Sequence, residues 1–230
     1  MARSHPIVDE ETDATGPVLL VDGAGHPADV LAATIASHLG EHGSVWVDQP
    51  PADLDGEVAP LGLQPAREVL RLERPLPLPE GWMAGVPTRD FVPGCDEAAW
   101  VSVNNAAFAS HREQGGWTVD RLRELESEPW FDPAGFRLHE RDGRLAAFCW
   151  TKVHAEMDPP AGEIFVIAVD PDFHGLGLGR ALTVAGLEHL AGLGLTRAFL
   201  YVDADNTPAR GMYDALGFTE AARRRLYLPR

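Results

Sequence analysis

The spacing of apolar residues changes period several times along this chain, and each change marks an element. Residues 17–22 (PVLLVD) are a short apolar run suited to a buried strand. Residues 26–39 carry Val30, Leu31, Ile35 and Leu39 at helical spacing. Residues 45–48 (VWVD) predict a second strand, 52–61 a poor helix and 66–74 a closing strand. The Pro-rich stretch 76–81 (LPLPEG) predicts a semi-rigid linker. Residues 1–15 are polar and acidic and predict an unstructured leader.

Beyond the linker, residues 82–91 predict a strand and 96–108 a helix with Trp100, Val103 and Phe108 on its apolar side. A second helix over 118–128 has Thr118 as its N-cap. Runs 136–140 and 145–154 flank Arg141-Asp142-Gly143-Arg144, whose Asp-Gly pair is a hairpin signal. The β-branched run 163–170 (EIFVIAVD) predicts a central strand. A glycine-rich loop and a helix to residue 193 follow, then a strand at 197–202. A short helix at 208–216 is stopped by Gly217, and 223–228 is a last strand. One hairpin and one βαβ unit in this order predict an α+β fold with a mixed sheet.

Charge narrows the partners. The 230 residues hold 35 acids and 19 bases, a net of −16. That argues against nucleic acid and against an anionic membrane surface. Residues 1–80 hold 14 of the acids and 4 of the bases, so the excess lies mostly in the first third. Lys152 is the single lysine. Two cysteines, Cys95 and Cys149, cannot build a disulfide framework, and no apolar run reaches membrane length. The expectation is a reduced, cytoplasmic protein. No Cys/His cluster has zinc spacing, so no metal is expected. Nothing separates monomer from homodimer.

The sharpest chemical signal is His174-Gly175-Leu176-Gly177-Leu178-Gly179-Arg180, between the strand at 163–170 and the next helix. Alternate glycines let the backbone approach a ligand closely, and the helix aims unpaired N–H groups and its positive end at that point. This is a pyrophosphate cradle made of backbone. The G-x-G-x-G spacing and the ~50 residues that follow do not suit a dinucleotide-binding domain. No Lys-Ser/Thr follows, which excludes a P-loop.

With the Asn206…Tyr213…Leu216-Gly217-Phe218 ending, this loop resembles the GNAT acyltransferase superfamily. Its Arg/Gln-x-x-Gly-x-Gly/Ala pattern lands on His174, Gly177 and Gly179, with His174 in place of Arg or Gln. Asn104-Asn105-Ala106-Ala107-Phe108, Glu113-Gln114-Gly115-Gly116-Trp117-Thr118, Glu128-Pro129-Trp130-Phe131-Asp132-Pro133 and Trp150-Thr151-Lys152-Val153-His154 resemble, more narrowly, the catalytic domain of the mycothiol synthase family. That match covers residues 82–230.

The resemblance implies an acetyl-CoA-dependent N-acetyltransferase acting on a small-molecule amine. Acetyl-CoA would be held by residues 174–180 and by Ile167, Ala168 and Val169, with Asn206 and Arg210 as further contacts. Glu163 would be the general base and Tyr213 the general acid, while Glu113, Lys152, Glu163 and Tyr201 would meet the acceptor. The acceptor so implied is a cysteinyl amine on a glucosamine–inositol sugar. Another amino sugar, a peptide N-terminus, or a silent acyl-CoA-binding module remain open. His111 and His154 lie near these motifs without an assigned role. Residues 16–75 resemble the second half of another GNAT domain. There Asp22-Gly23-Ala24-Gly25-His26-Pro27 replaces the phosphate loop without its spacing, so no CoA is expected in that half.

Overall fold

Strand β1 (Val8–Asp13) pairs antiparallel with β2 (Gly16–Asp22) in the computed structural model, which describes residues 8–13, 16–40, 43–109 and 114–230. Helix α1 (Ala28–His38), strand β3 (Ser44–Asp48), helix α2 (Leu54–Val58) and strand β4 (Leu63–Pro75) follow. Next come β5 (Arg89–Asp90), α3 (Glu97–Ala107), α4 (Val119–Glu126), β6 (Phe136–Arg141) and β7 (Arg144–His154). The chain ends with β8 (Ala161–Val169), α5 (Leu178–Gly192), β9 (Arg197–Asp203), α6 (Thr207–Ala215) and β10 (Thr219–Pro229). The α+β class expected from the pattern is the observed one.

The chain forms two units. The first comprises residues 1–72, 201–211 and 220–230; the second comprises 73–200 and 212–219. The sequence predicts a boundary at 76–81, but the last strand returns to the first unit. There β10 runs antiparallel to β3, with Leu226 opposite Trp46 and Tyr227 opposite Val45. A pairing between residues so far apart leaves no trace in local periodicity. The unit's core gathers Leu19, Leu31, Ile35, Val45, Val47, Leu54 and Tyr227, all fully buried. Val8–Asp13, expected to be unstructured, instead covers the edge of β2.

The second unit is a meander of β5, β6, β7 and β8, with the start of β9 parallel to β8. Its core is aromatic. Phe136 stacks on Trp150 at 4.6 Å and on Phe91 at 4.4 Å, and Trp100 meets Phe136 and Trp150 edge-on. Such pairs add ~0.5–1.5 kcal/mol each beyond their area burial. The β6–β7 turn has positive φ at both Asp142 (54°) and Gly143 (74°), as a two-residue hairpin needs. Of the strand expected over 82–91 only Arg89–Asp90 pairs. Gly85 adopts a φ of 74°, and Pro87 has no N–H to give a ladder.

Helix α5 lies close on β7 and β8 because two glycines remove the obstacle. A Cβ on Gly186 would stand 2.6 Å from Cys149 Sγ, and one on Gly162 would stand 2.6 Å from the Leu190 methyls. The contacts fix the start of β8 and the neighbouring part of β7 against α5.

Candidate active site

At the C-terminal end of β8 the Asp170 carboxylate accepts from the Asp172 N–H at 2.9 Å and starts a tight turn. Gly175 (φ 79°) and Gly177 (φ 73°) then take left-handed conformations that other residues adopt only at a cost. The first intrahelical bond of α5 runs from the Ala181 N–H to the Gly177 carbonyl at 3.1 Å. The amides of Leu178, Gly179 and Arg180 precede it, so they have no acceptor inside the helix. The first turn holds no acid. Three amides without an acceptor inside the helix therefore sit at its positive end, a place that favours an anion. A Cβ on Gly179 would come within 3.4 Å of Met212 Sδ, so this glycine also serves packing against α6. His174 ties the loop back to the strand, its Nε2–H donating to the Val169 carbonyl at 3.2 Å. Leu176 is half exposed, and the Arg180 guanidinium lies 5.3 Å from the Trp82 ring centroid.

Strand β8 is open along one edge. Its ladder with β9 consists of Gly162↔Ala198, Glu163↔Phe199 and Ile164↔Leu200, and then stops. Among the described residues no strand pairs with that edge from Phe165 to Val169, whereas the opposite edge stays paired with β7. Ile167, Ala168 and Val169 thus lie on a stretch of backbone that leads from the start of the strand to the glycine loop. The first unit makes the contrast. Its parallel pair β2–β3 is joined over five positions, from Val18↔Ser44 to Asp22↔Asp48. The Gly23 N–H closes the end onto the Asp48 carbonyl at 2.8 Å.

Glu163 sits at the start of the open strand, its side chain 10% exposed. A buried carboxylate needs a partner, and it has one: His154 Nε2 lies 2.7 Å from Glu163 Oε2. Lys152 stands opposite Glu163 in the β7–β8 register. Its ammonium lies 4.4 Å from the Trp130 ring centroid and 5.6 Å from that of Phe165. Phe165 is the extra residue of a register shift between Thr151↔Ile164 and Trp150↔Val166. A bulge of this kind re-aims side chains beside a site. Tyr213, on α6, is 5% exposed and packs edge-on against Phe218. Burial, with the Cys149 thiol as a lesser cause, holds its phenol well above the usual tyrosine range. The group is therefore a neutral donor at any physiological pH.

The remaining site residues fall elsewhere. Glu113 and His111 lie outside the described residues. Tyr201, Asn206 and Arg210 belong to the first unit. Tyr201 is 52% exposed and lines a cavity of about 500 Å³ with Asp22, Asp48 and Arg71. Asn206 Oδ1 accepts from the Ala209 N–H at 3.2 Å, capping α6, and Arg210 donates to the Ala204 carbonyl at 2.6 Å. Sequence reasoning gave no role to His154 and did not place Trp130 under Lys152. His154 is two residues beyond Lys152 on the same strand, a spacing that puts both on one face.

Comparison with known proteins agrees with this geometry. Residues 100–218 match the acetyltransferase (GNAT) family. The chain is 50% identical over 182 residues to a mycothiol acetyltransferase of Thermomonospora curvata, covering 77% of this chain and 60% of the relative. It is 48% identical over 200 residues to a mycothiol acetyltransferase of Streptomyces coelicolor, covering 85% and 64%. The chain thus spans about three fifths of the length of these curated relatives. Among solved structures, a GCN5-related N-acetyltransferase from Sphaerobacter thermophilus shares the fold, with a TM-score of 0.67 at 22% identity over 96% of this chain and 75% of that one. The chain belongs to the acetyltransferase (GNAT) family.

Proposed function

We propose that this chain transfers the acetyl group of acetyl-CoA to the cysteinyl amine of des-acetyl mycothiol. One observation carries the reading: β8 has an exposed backbone edge with a donor-rich glycine loop at one end and a buried carboxylate, Glu163, at the other. The cosubstrate would supply a thioester, and the acceptor a nucleophilic nitrogen. The names of the relatives support the choice of acceptor.

The residues divide the work as follows. The amides of Leu178, Gly179 and Arg180 hold the pyrophosphate, and the loop residues His174 to Gly177 shape the cradle. Ile167, Ala168 and Val169 hold the pantetheine arm through the free strand edge. Glu163 takes the proton of the ammonium so that a free amine attacks. The Tyr213 hydroxyl donates to the departing thiolate. Its raised pKa makes it a hydrogen-bond donor that stabilises the sulfur's charge, and only a bound ligand could bring it to full proton transfer. Lys152 meets the hydroxyl-rich part of the acceptor; a compact ammonium donates to sugar hydroxyls in several directions. The free thiols Cys95 (exposed) and Cys149 (buried) support a reducing, cytoplasmic setting.

The test is product formation. Wild-type protein with acetyl-CoA and des-acetyl mycothiol is expected to yield N-acetylated product by liquid chromatography and mass spectrometry. A Glu163→Gln variant is expected to lose about 100-fold or more in kcat at neutral pH. Full activity of that variant would remove Glu163 as the base.

A further inference from the structure

His154 stands between two carboxylates. Its Nε2 is 2.7 Å from Glu163 Oε2, and its Nδ1 is 2.9 Å from Glu156 Oε1. Ionised carboxylates only accept, so both contacts are hydrogen bonds only when both ring nitrogens carry hydrogen. The ring packs against Phe199 with centroids 5.2 Å apart, and the side chain is 17% exposed. Glu156, by contrast, is 73% exposed. The charged groups facing this imidazole are Lys152 on β7, Glu156 in the turn after β7 and Glu163 on β8. Among the described residues β9 contributes the ring of Phe199, and α5 presents the apolar Leu190 beneath Gly162.

We propose that His154 is a positioning residue of acetyl transfer, one that clamps the Glu163 carboxylate through Nε2–H while Glu156 anchors the far side of the ring. The inference rests on Glu163 being the base proposed above. The clamp occupies Oε2 and leaves Oε1 as the basic oxygen, in a fixed plane. It also gives the buried carboxylate the hydrogen-bond partner that burial demands. No proton leaves through the ring: the amine's proton goes to Glu163 and from there to solvent.

Two measurements test this. In protein labelled with nitrogen-15 at histidine and free of acceptor, the His154 Nε2–H resonance is expected to move in Glu163→Gln, while the other imidazoles stay in place. With acetyl-CoA and des-acetyl mycothiol, His154→Leu is expected to lower kcat by about 10- to 100-fold and to leave the KM for acetyl-CoA unchanged. His154→Gln, which keeps an N–H for Glu163, is expected to recover part of kcat, and it guards against a folding defect in His154→Leu. Wild-type kcat in both variants would overturn the proposal, as would an Nε2–H signal indifferent to Glu163→Gln. The spectrum needs no acceptor. An intact Nε2–H response with no turnover of any amine would therefore count against the acetyl-transfer reading, and with it against a catalytic purpose for the clamp.

Discussion

The ammonium of Lys152 lies 4.4 Å from the ring centroid of Trp130, directly across the sheet register from Glu163. The ring holds the only lysine of the chain at the start of the open strand, with Phe165 as a second aromatic neighbour. Cation–π attraction of this kind contributes ~0.5–2 kcal/mol. Trp130→Leu is therefore expected to lower kcat/KM for the acceptor about 3- to 30-fold while the KM for acetyl-CoA stays put. Lys152→Met should lower the same ratio further, because the donor itself is lost. Steady-state kinetics with each substrate varied in turn reads both.

Gly177 adopts a φ of 73° at the first position before α5. Gly177→Ala puts a Cβ into a left-handed conformation at a cost of ~1–2 kcal/mol. The loop can relieve that strain only by turning its amides. Calorimetric titration is expected to show weaker CoA binding in this variant, with a melting temperature lowered by only about 2–8 °C, since nothing lies within 4 Å of the added Cβ and backbone strain is the whole cost.

The two parallel strand pairs differ in one respect that bears on ligand count. β8–β9 pairs at three positions and stops, whereas β2–β3 pairs to its end and is sealed by Gly23 on Asp48. The parallel pair of the first unit leaves a pantetheine arm no opening like that beside β8. Equilibrium titration is expected to give one CoA per chain, and a stoichiometry of two would contradict this.

Two of the three tyrosines, Tyr213 and Tyr227, carry phenols raised by burial, and the Asp55 carboxylate on the Tyr227 hydroxyl adds to the second. Below the ordinary tyrosine range of about 10 both folded and unfolded states are protonated, so neither phenol makes stability depend on pH. Above it the unfolded chain ionises while the folded one resists, and stability falls as pH rises. Alkaline titration is expected to show ionisation of these two tyrosines coinciding with loss of secondary structure. Tyr213→Phe should unfold at higher pH than wild type, and should lose kcat without losing CoA affinity.

Much of the second unit is legible in the sequence. The β-branched run before His174 and the alternate glycines after it predict a strand, a left-handed turn and a helix start, because each leaves local marks, and all three are found. Glu163 is singled out by the family resemblance alone, while Gly162 before it has a packing reason, since a Cβ there would meet Leu190. His154 was visible as a residue but not as a partner, since its reach to Glu163 depends on an antiparallel register that shifts at Phe165. Trp130 stands in the Glu128–Pro133 stretch that carries the family resemblance, and nothing local in the sequence places it beside Lys152. The return of β10 to β3, and the pairing of Val8–Asp13 on β2, were hidden because strand pairing between distant or weakly patterned segments is decided by the whole sheet.

The acceptor is the central question, and a panel of amines answers it directly. Initial rates with acetyl-CoA are compared for des-acetyl mycothiol, cysteine, glucosamine and a peptide bearing a free N-terminal alanine. The expected result is a kcat/KM for des-acetyl mycothiol at least ~100-fold above every other amine, as loss of the sugar contacts at Lys152 and its neighbours would produce. Equal or faster turnover of an amine lacking the sugar, or CoA binding with no turnover at all, would contradict it.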